Sequence, residues 1–131
     1  MSAIECLAFA SKARVGLREL TTLVRWSRER NEQLGVTGLL LYDSDYFFGY
    51  LEGEAQRVQR LYDAIALDTR HHEVRLLQHG ALAKCRFDRW LMGYLYEPIF
   101  VGELEALWSG KMALGDIDAR LKRWSLEGDV L

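Results

Sequence analysis

Few side chains in this sequence stand where they could do chemistry. The histidines are His71, His72 and His79, and the cysteines are Cys6 and Cys85. Adjacent His71 and His72 point in different directions on any regular element, and no cysteine or paired carboxylate stands at zinc spacing, so no metal site is expected. Glu52 beside Gly53 invites an acid–base reading, but it reads more simply as a carboxylate at a strand end near the start of a helix, where the helix dipole favours it. There is no Walker loop, dinucleotide-type glycine cluster or nucleophile elbow. The local chemistry therefore argues against turnover, and no enzyme is expected. Two features remain. Asn31 is a carboxamide on an otherwise apolar helical stripe. Asp68-Thr69-Arg70-His71-His72 is a dense polar run. A buried carboxamide left unpaired costs about 1–3 kcal/mol, so Asn31 either meets a ligand or bonds local backbone at its helix end. Arg70 and His71 read equally well as an exposed turn.

The elements that position these residues follow from hydrophobic period. Residues 4–10 form an apolar first strand, and 11–16 read as a loop. From Leu17 the period becomes helical, with Leu20, Val24, Ser27 and Asn31 on one stripe and Gly35 placed to end the helix. Residues 36–42 and 46–52 are β-type runs flanking Asp43-Ser44-Asp45, which predicts a hairpin. Gly53 opens a second helix with the stripe Val58, Leu61, Tyr62 and Ile65, and 68–72 are a polar break. Residues 74–82 are weakly strand-like and 91–96 more strongly so. Short helices are expected at 103–108 and at 117–124, the latter with Ile117, Leu121 and Trp124 on one stripe. The order β-α-β-β-α-β-β predicts an α+β fold: one ferredoxin-like sheet with two helices on one face. Residues 1–97 make up this domain. Residues 98–131 form a C-terminal helical extension packed on or near the sheet, covering its second face or offering a partner surface.

A length of 131 residues suits one domain. The net charge of −2 carries no basic excess for non-specific nucleic-acid binding. No apolar run approaches the roughly 20 residues of a membrane helix, and the N-terminus does not read as a signal peptide. Both cysteines are expected as free thiols in a reducing cytoplasm.

Four segments, in order on these elements, carry a resemblance. They are Asn31-x-x-Leu34-Gly35-Val36-Thr37-Gly38-Leu39-Leu40-Leu41-Tyr42, Leu51-Glu52-Gly53, Asp68-x-Arg70-His71 and Phe87-x-x-Trp90-x-Met92-Gly93-Tyr94. Together they resemble the BLUF domains, flavin-based sensors of blue light, over residues 4–96. The resemblance implies an FAD whose ring system lies between the two helices, against the sheet. It places the Asn31 carboxamide on the ring edge, where a paired donor and acceptor suit the alternating C=O and N–H groups. It places Asp68 and Arg70 near the same edge and the His71 imidazole against the ring. Trp90 and Met92 match positions that pass the signal to the fifth strand, although both also suit a core.

Two positions depart from the family. A tyrosine in the first strand donates an electron and a proton to the excited flavin, and Phe9 stands there. A glutamine in the third strand carries the hydrogen-bond rearrangement that signals, and Gly49 stands there. A one-residue slip does not restore the pair, because it turns every neighbour to the other face. The resemblance thus implies a signalling or interaction module of the FAD sensor family without the usual photocycle. It would act on a regulatory protein partner or through self-association, with no nucleic acid or membrane involved. The alternative is a photoreceptor in which Trp26, Trp90 or Tyr50 replaces the donor.

Overall fold

The computed structural model describes residues 3–88, 90–94, 102–112 and 119. The elements are β1 (Ile4–Ala13), α1 (Leu17–Leu34), β2 (Thr37–Tyr42), β3 (Tyr46–Glu54), α2 (Ala55–Ala66), β4 (His71–Leu82), β5 (Trp90–Tyr94) and α3 (Glu103–Ser109). The strands form one sheet in the order β4-β1-β3-β2-β5. The pairings are antiparallel except β2 with β5, which is parallel. The β2–β3 turn is held by Asp43, whose Oδ1 accepts from the Asp45 and Tyr46 amides at 3.0 and 2.8 Å. That is a side-chain mimic of a backbone turn.

Strand alternation divides the sheet into two faces. Leu7, Phe9, Leu40, Tyr42, Phe47 and Leu51 pack with Leu20, Leu23 and Val24 of α1 and Val58 and Leu61 of α2. Cys6, Ala8, Leu39, Leu41, Phe48 and Tyr50 pack on the other side with Phe87 and with Leu104 and Leu107 of α3. A fully buried leucine contributes about 1.5–3 kcal/mol, so both faces need their cover. Two helices thus share one face, as the sequence predicts, and α3 covers the second. The helix expected at 117–124 lies outside the described residues.

The polar ends of two strands differ from expectation. β1 continues through Ala13 and β4 begins at His71, because Lys12 pairs with His72 and Ala13 with His71 across the sheet. A Lys12–Glu73 ion pair of 2.9 Å closes that end. Residues 11–13 of the expected loop and 71–72 of the expected polar break are thus strand ends that satisfy each other, a long-range pairing that local composition does not show, while 14–16 and 68–70 connect the elements as expected. Between Ala10 and Lys12 the β1–β4 register shifts at an irregularity centred on Ser11. At the other end of the sheet, Ile4 pairs with Glu54, so β3 runs past Gly53 and α2 starts at Ala55.

Glu52 is not at a strand end. It lies inside β3, fully buried on the α3 face. Its carboxylate accepts from the Tyr50 hydroxyl at 3.0 Å and from the Phe87 amide, while Thr37 Oγ1 donates to the Phe87 carbonyl at 3.0 Å. Burial, and then the Glu52 carboxylate, push the Tyr50 phenol well above its usual range. This cluster fixes the segment that leads into β5. Trp108 fixes α3: its indole N–H donates to the Glu73 carbonyl at 2.8 Å, and the Arg75 guanidinium lies 3.7 Å from its ring centroid.

At Gly38 the β3 backbone leaves no room for a side chain on β2. The φ of Gly38 is 143°, and a Cβ there would overlap the Tyr50 carbonyl oxygen. Gly80, on edge strand β4, has open space at the same position. Gly38→Ala is expected to destabilise the domain by about 3 kcal/mol or more, since backbone must move and φ is strained. Gly80→Ala is expected to change stability by less than about 0.5 kcal/mol. Urea unfolding of the two variants checks both.

Candidate functional site

A cleft of about 480 Å³, counting the space open to solvent at its mouth, lies between α1 and α2 over the first face of the sheet. Its floor is Phe9, Leu40, Phe47 and Trp90, from four different strands. Leu23, Ser27, Arg30 and Asn31 line it from α1, spaced to share one helical face. Ile65, Asp68 and His71 close it from the end of α2 and the start of β4. The lining is apolar with a few placed polar groups, the usual make-up of a small-molecule site.

Asn31 is 1% exposed. Its backbone carbonyl accepts the capping bonds from Gly35 and Val36, so the backbone, not the side chain, closes the helix. The side-chain Oδ1 is buried with no hydrogen-bond partner among the described residues, and so is Nε1 of Trp90. One orphan is an acceptor and the other a donor. Orphans of this kind are rare, and each needs an explanation.

His71 differs in being fully satisfied. Its Nε2 must carry the proton, because it lies 2.6 Å from the Ile65 carbonyl. Nδ1 then accepts from the Ser11 hydroxyl at 2.7 Å. Its ring stands edge-on to Phe9 and Phe47, each 6.2 Å away between centroids. Burial lowers its pKa below the ordinary 6.5, the Ile65 carbonyl opposing this. His71 is therefore a neutral wall of the cleft rather than part of an exposed turn. Asp68 and Arg70 form a two-toothed ion pair at the rim, with Arg70 Nε 2.9 and 3.1 Å from the two carboxylate oxygens. Hydrogen bonding from Arg70 holds the Asp68 carboxyl below the usual range.

Phe9 and Gly49 face each other across β1 and β3. A Cβ on Gly49 would overlap the edge of the Phe9 ring. The ring thus fills the space from which a side chain at position 49 would start, and it packs against Tyr62 of α2 at 5.9 Å between centroids. Among the described lining residues there is no tyrosine and no glutamine. Tyr50 lies on the opposite face and bonds Glu52. Trp90 lines the cleft; Met92 pairs with Leu40 in backbone register, and its side chain lies outside the described residues. Ser11, Arg30 and Phe47 belong to the site without having been singled out from sequence. Extending the alternation of Leu7 and Phe9 by one more step would have found Ser11.

The profile of the family of sensors of blue-light using FAD, BLUF, matches residues 4–93. The chain belongs to the BLUF family. The photoactivated adenylate cyclase subunit alpha of Euglena gracilis is 36% identical over 63 residues, which are 48% of this chain and 6% of that one. The blue light- and temperature-regulated antirepressor BluF of Escherichia coli K12 is 36% identical over 58 residues, 44% of this chain and 14% of that protein. The chain thus matches only a small part of each curated relative. Among solved structures, the dark state of BlrB, a BLUF protein, superposes with a TM-score of 0.76 at 26% identity, covering 94% of this chain and 95% of BlrB. Photo-activated BlsA gives the same TM-score at 25% identity, covering 92% and 93%. The BLUF fold is therefore complete here from β1 to β5, and the family is one of flavin-using sensors rather than catalysts.

Two outcomes follow from this geometry. Gly49→Ala alone is expected to destabilise by about 1–3 kcal/mol through overpacking. In a Phe9→Ala background the same change should cost at least about 1 kcal/mol less, a coupling that a double-mutant cycle in urea reads directly. The second concerns pH. His71 binds its proton more weakly folded than unfolded, so the unfolded chain holds more protons between the depressed value and 6.5. Stability should therefore fall as pH drops through 6.5 toward that value, by at most about 1.4 kcal/mol per pH unit from this residue. The Asp68 contribution is lost only at lower pH, below the ordinary carboxylate value of 3.8. His71→Gln should flatten the slope between pH 7 and 5 while leaving the lower window.

Proposed function

We propose that this BLUF domain holds FAD in the cleft and serves as a signalling or protein-interaction module that does not run the tyrosine–glutamine photocycle of its family. The observation that carries the reading is the pair of opposite orphans, Asn31 Oδ1 and Trp90 Nε1, in one cleft. A ring edge with an N–H beside a carbonyl would satisfy both, the N–H donating to Asn31 and the carbonyl accepting from Trp90. Leaving them unpaired costs about 1–3 kcal/mol each. The flavin pyrimidine edge has that pattern, and Phe9, Leu40 and Phe47 provide the apolar seat. His71, bonded to protein on both nitrogens, would add shape to the site rather than a hydrogen bond. When bound, FAD would supply the absorption of blue light.

What the chain's own residues do next differs from the family pattern. Phe9 has no hydroxyl to release a proton, and Gly49 has no amide to turn. Because the Phe9 ring occupies the space above Gly49, the two departures support each other sterically, which favours a site settled in this form. Output would pass to a regulatory protein or a second copy of the chain. Several relatives carry the domain within larger proteins, such as a bacterial light-regulated adenylyl cyclase of which this chain covers 36%, and that supports a partner-directed role. A second reading, an unconventional photoreceptor, is favoured by Trp90 alone, the one oxidisable ring among the described cleft-lining residues.

Refolding the purified chain in excess FAD, removing free flavin and releasing what is bound by denaturation tests occupancy. Flavin at close to one per chain is expected, with Asn31→Ala weakening binding about tenfold or more. Blue illumination of the complex should leave the flavin band unshifted. No retained flavin would reduce the domain to an interaction module. A light-induced red shift would overturn the loss of photochemistry and point to Trp90.

A further inference from the structure

Glu52 and Thr37 are direct cross-strand partners on β3 and β2. Both side chains reach the same residue of the segment before β5. The Glu52 carboxylate accepts from the Phe87 amide, and the Thr37 hydroxyl donates to the Phe87 carbonyl at 3.0 Å. The two side chains thus treat Phe87 as a neighbouring strand would, taking its N–H and its C=O together. The Phe87 ring closes this clasp from a third side, 5.6 Å from the Tyr50 ring between centroids. The alternation of Phe48 and Tyr50 calls for an apolar side chain at position 52. A carboxylate with no exposure stands there instead, and such a group costs free energy unless donors meet it. Tyr50 and Phe87 supply them.

What the clasp controls lies on the other face. Trp90 follows Phe87 by three Cα steps, a reach of at most about 11 Å. It is the first residue of β5, a strand that pairs with β2 alone among the described strands. Phe87 packs with the core on the α3 side, whereas Trp90 lines the cleft. One short stretch therefore has a pinned residue at one end and the unpaired indole N–H at the other. We propose that Glu52 is a positioning residue of the cleft: from the far side of the sheet it holds Phe87, and so sets where the Trp90 N–H stands. The ligand which that N–H meets rests on the flavin reading above, but the placement itself is a property of the flavin-free chain.

The experiment reads the indole directly. In the flavin-free full chain, the proton–nitrogen NMR signal of the Trp90 indole is assigned by its loss in Trp90→Phe. Glu52→Met, which nearly keeps the volume and removes the acceptor, should shift that signal and speed its exchange with solvent by about fivefold or more, with the Trp26 indole unmoved. Glu52→Gln retains an acceptor for the amide and should stay closer to the parent. Thr37→Val releases the carbonyl end of the clasp and should move the same signal; it decides the matter if Glu52→Met does not fold. FAD titration then reads whether the placement reaches the ligand. Glu52→Met should weaken binding about fivefold or more in the parent and less than about twofold in a Trp90→Phe background. A general loosening of the cleft would cost the same in both. A Trp90 signal that neither Glu52→Met nor Thr37→Val moves, or an FAD loss undiminished in Trp90→Phe, would overturn the positioning role. Failure of the parent chain to bind FAD would overturn the flavin reading and leave the indole signal to decide the role of Glu52.

Discussion

A sheet covered on both faces must send every other residue of its central strands to opposite environments, and most of this molecule is a consequence of that rule. β1 and β3 lie in the middle of the sheet. Their odd-numbered residues, Leu7, Phe9, Ser11, Phe47 and Leu51, face the two long helices and the cleft. Their even-numbered residues, Ala8, Phe48, Tyr50 and Glu52, face α3. The side chains at the site are therefore not free to be exchanged with their neighbours. The phenol of Tyr50 is one residue from position 49 and on the wrong side of the sheet, where it has been given a carboxylate partner. The same rule makes Phe9 and Gly49 direct opposites, so that the size of one determines the room left for the other.

Much of this was legible because it follows from period. The helical stripes of Leu20, Val24, Ser27 and Asn31 and of Val58, Leu61, Tyr62 and Ile65 face the core as read, and the Asp43 turn joins two strands. Residues whose partners are distant in sequence were harder to place. Ser11 and His71 are 60 positions apart and polar, so each looks locally like a loop, yet they bond one another in the interior. Glu52 looked like a strand-end carboxylate because its true partner, the amide of Phe87, is 35 residues away. Composition cannot show a pairing that only the sheet creates. Phe9 and Gly49 were visible one at a time as missing groups. Their joint packing became visible only once the register set them side by side.

The polar groups of the site divide by whether the protein satisfies them itself. His71 and Asp68 have partners within the chain and behave as structure. Asn31 Oδ1 and Trp90 Nε1 have none among the described residues, although both residues are held in place, Asn31 by the end of α1 and Trp90 by the parallel pairing of β5 with β2. Rigid placement of unpaired donors and acceptors raises the free energy of the empty cleft. Part of any ligand's affinity is then relief of a cost already present in the fold.

The grip on Trp108 gives the two sides of the domain a common element, strand β4. Strand β4 contributes His71 to the cleft wall, and two and four residues later Glu73 and Arg75 hold the indole of α3 on the opposite face. Among the described strands β4 pairs with β1 alone, and its register with β1 is already irregular at Ser11. A small slide of this one strand along its neighbour would be registered at once as a change in cleft shape and as a tilt of the short helix behind the sheet. Mechanical continuity between the two surfaces is thus built into a single stretch of backbone and does not require the sheet's central strands to move.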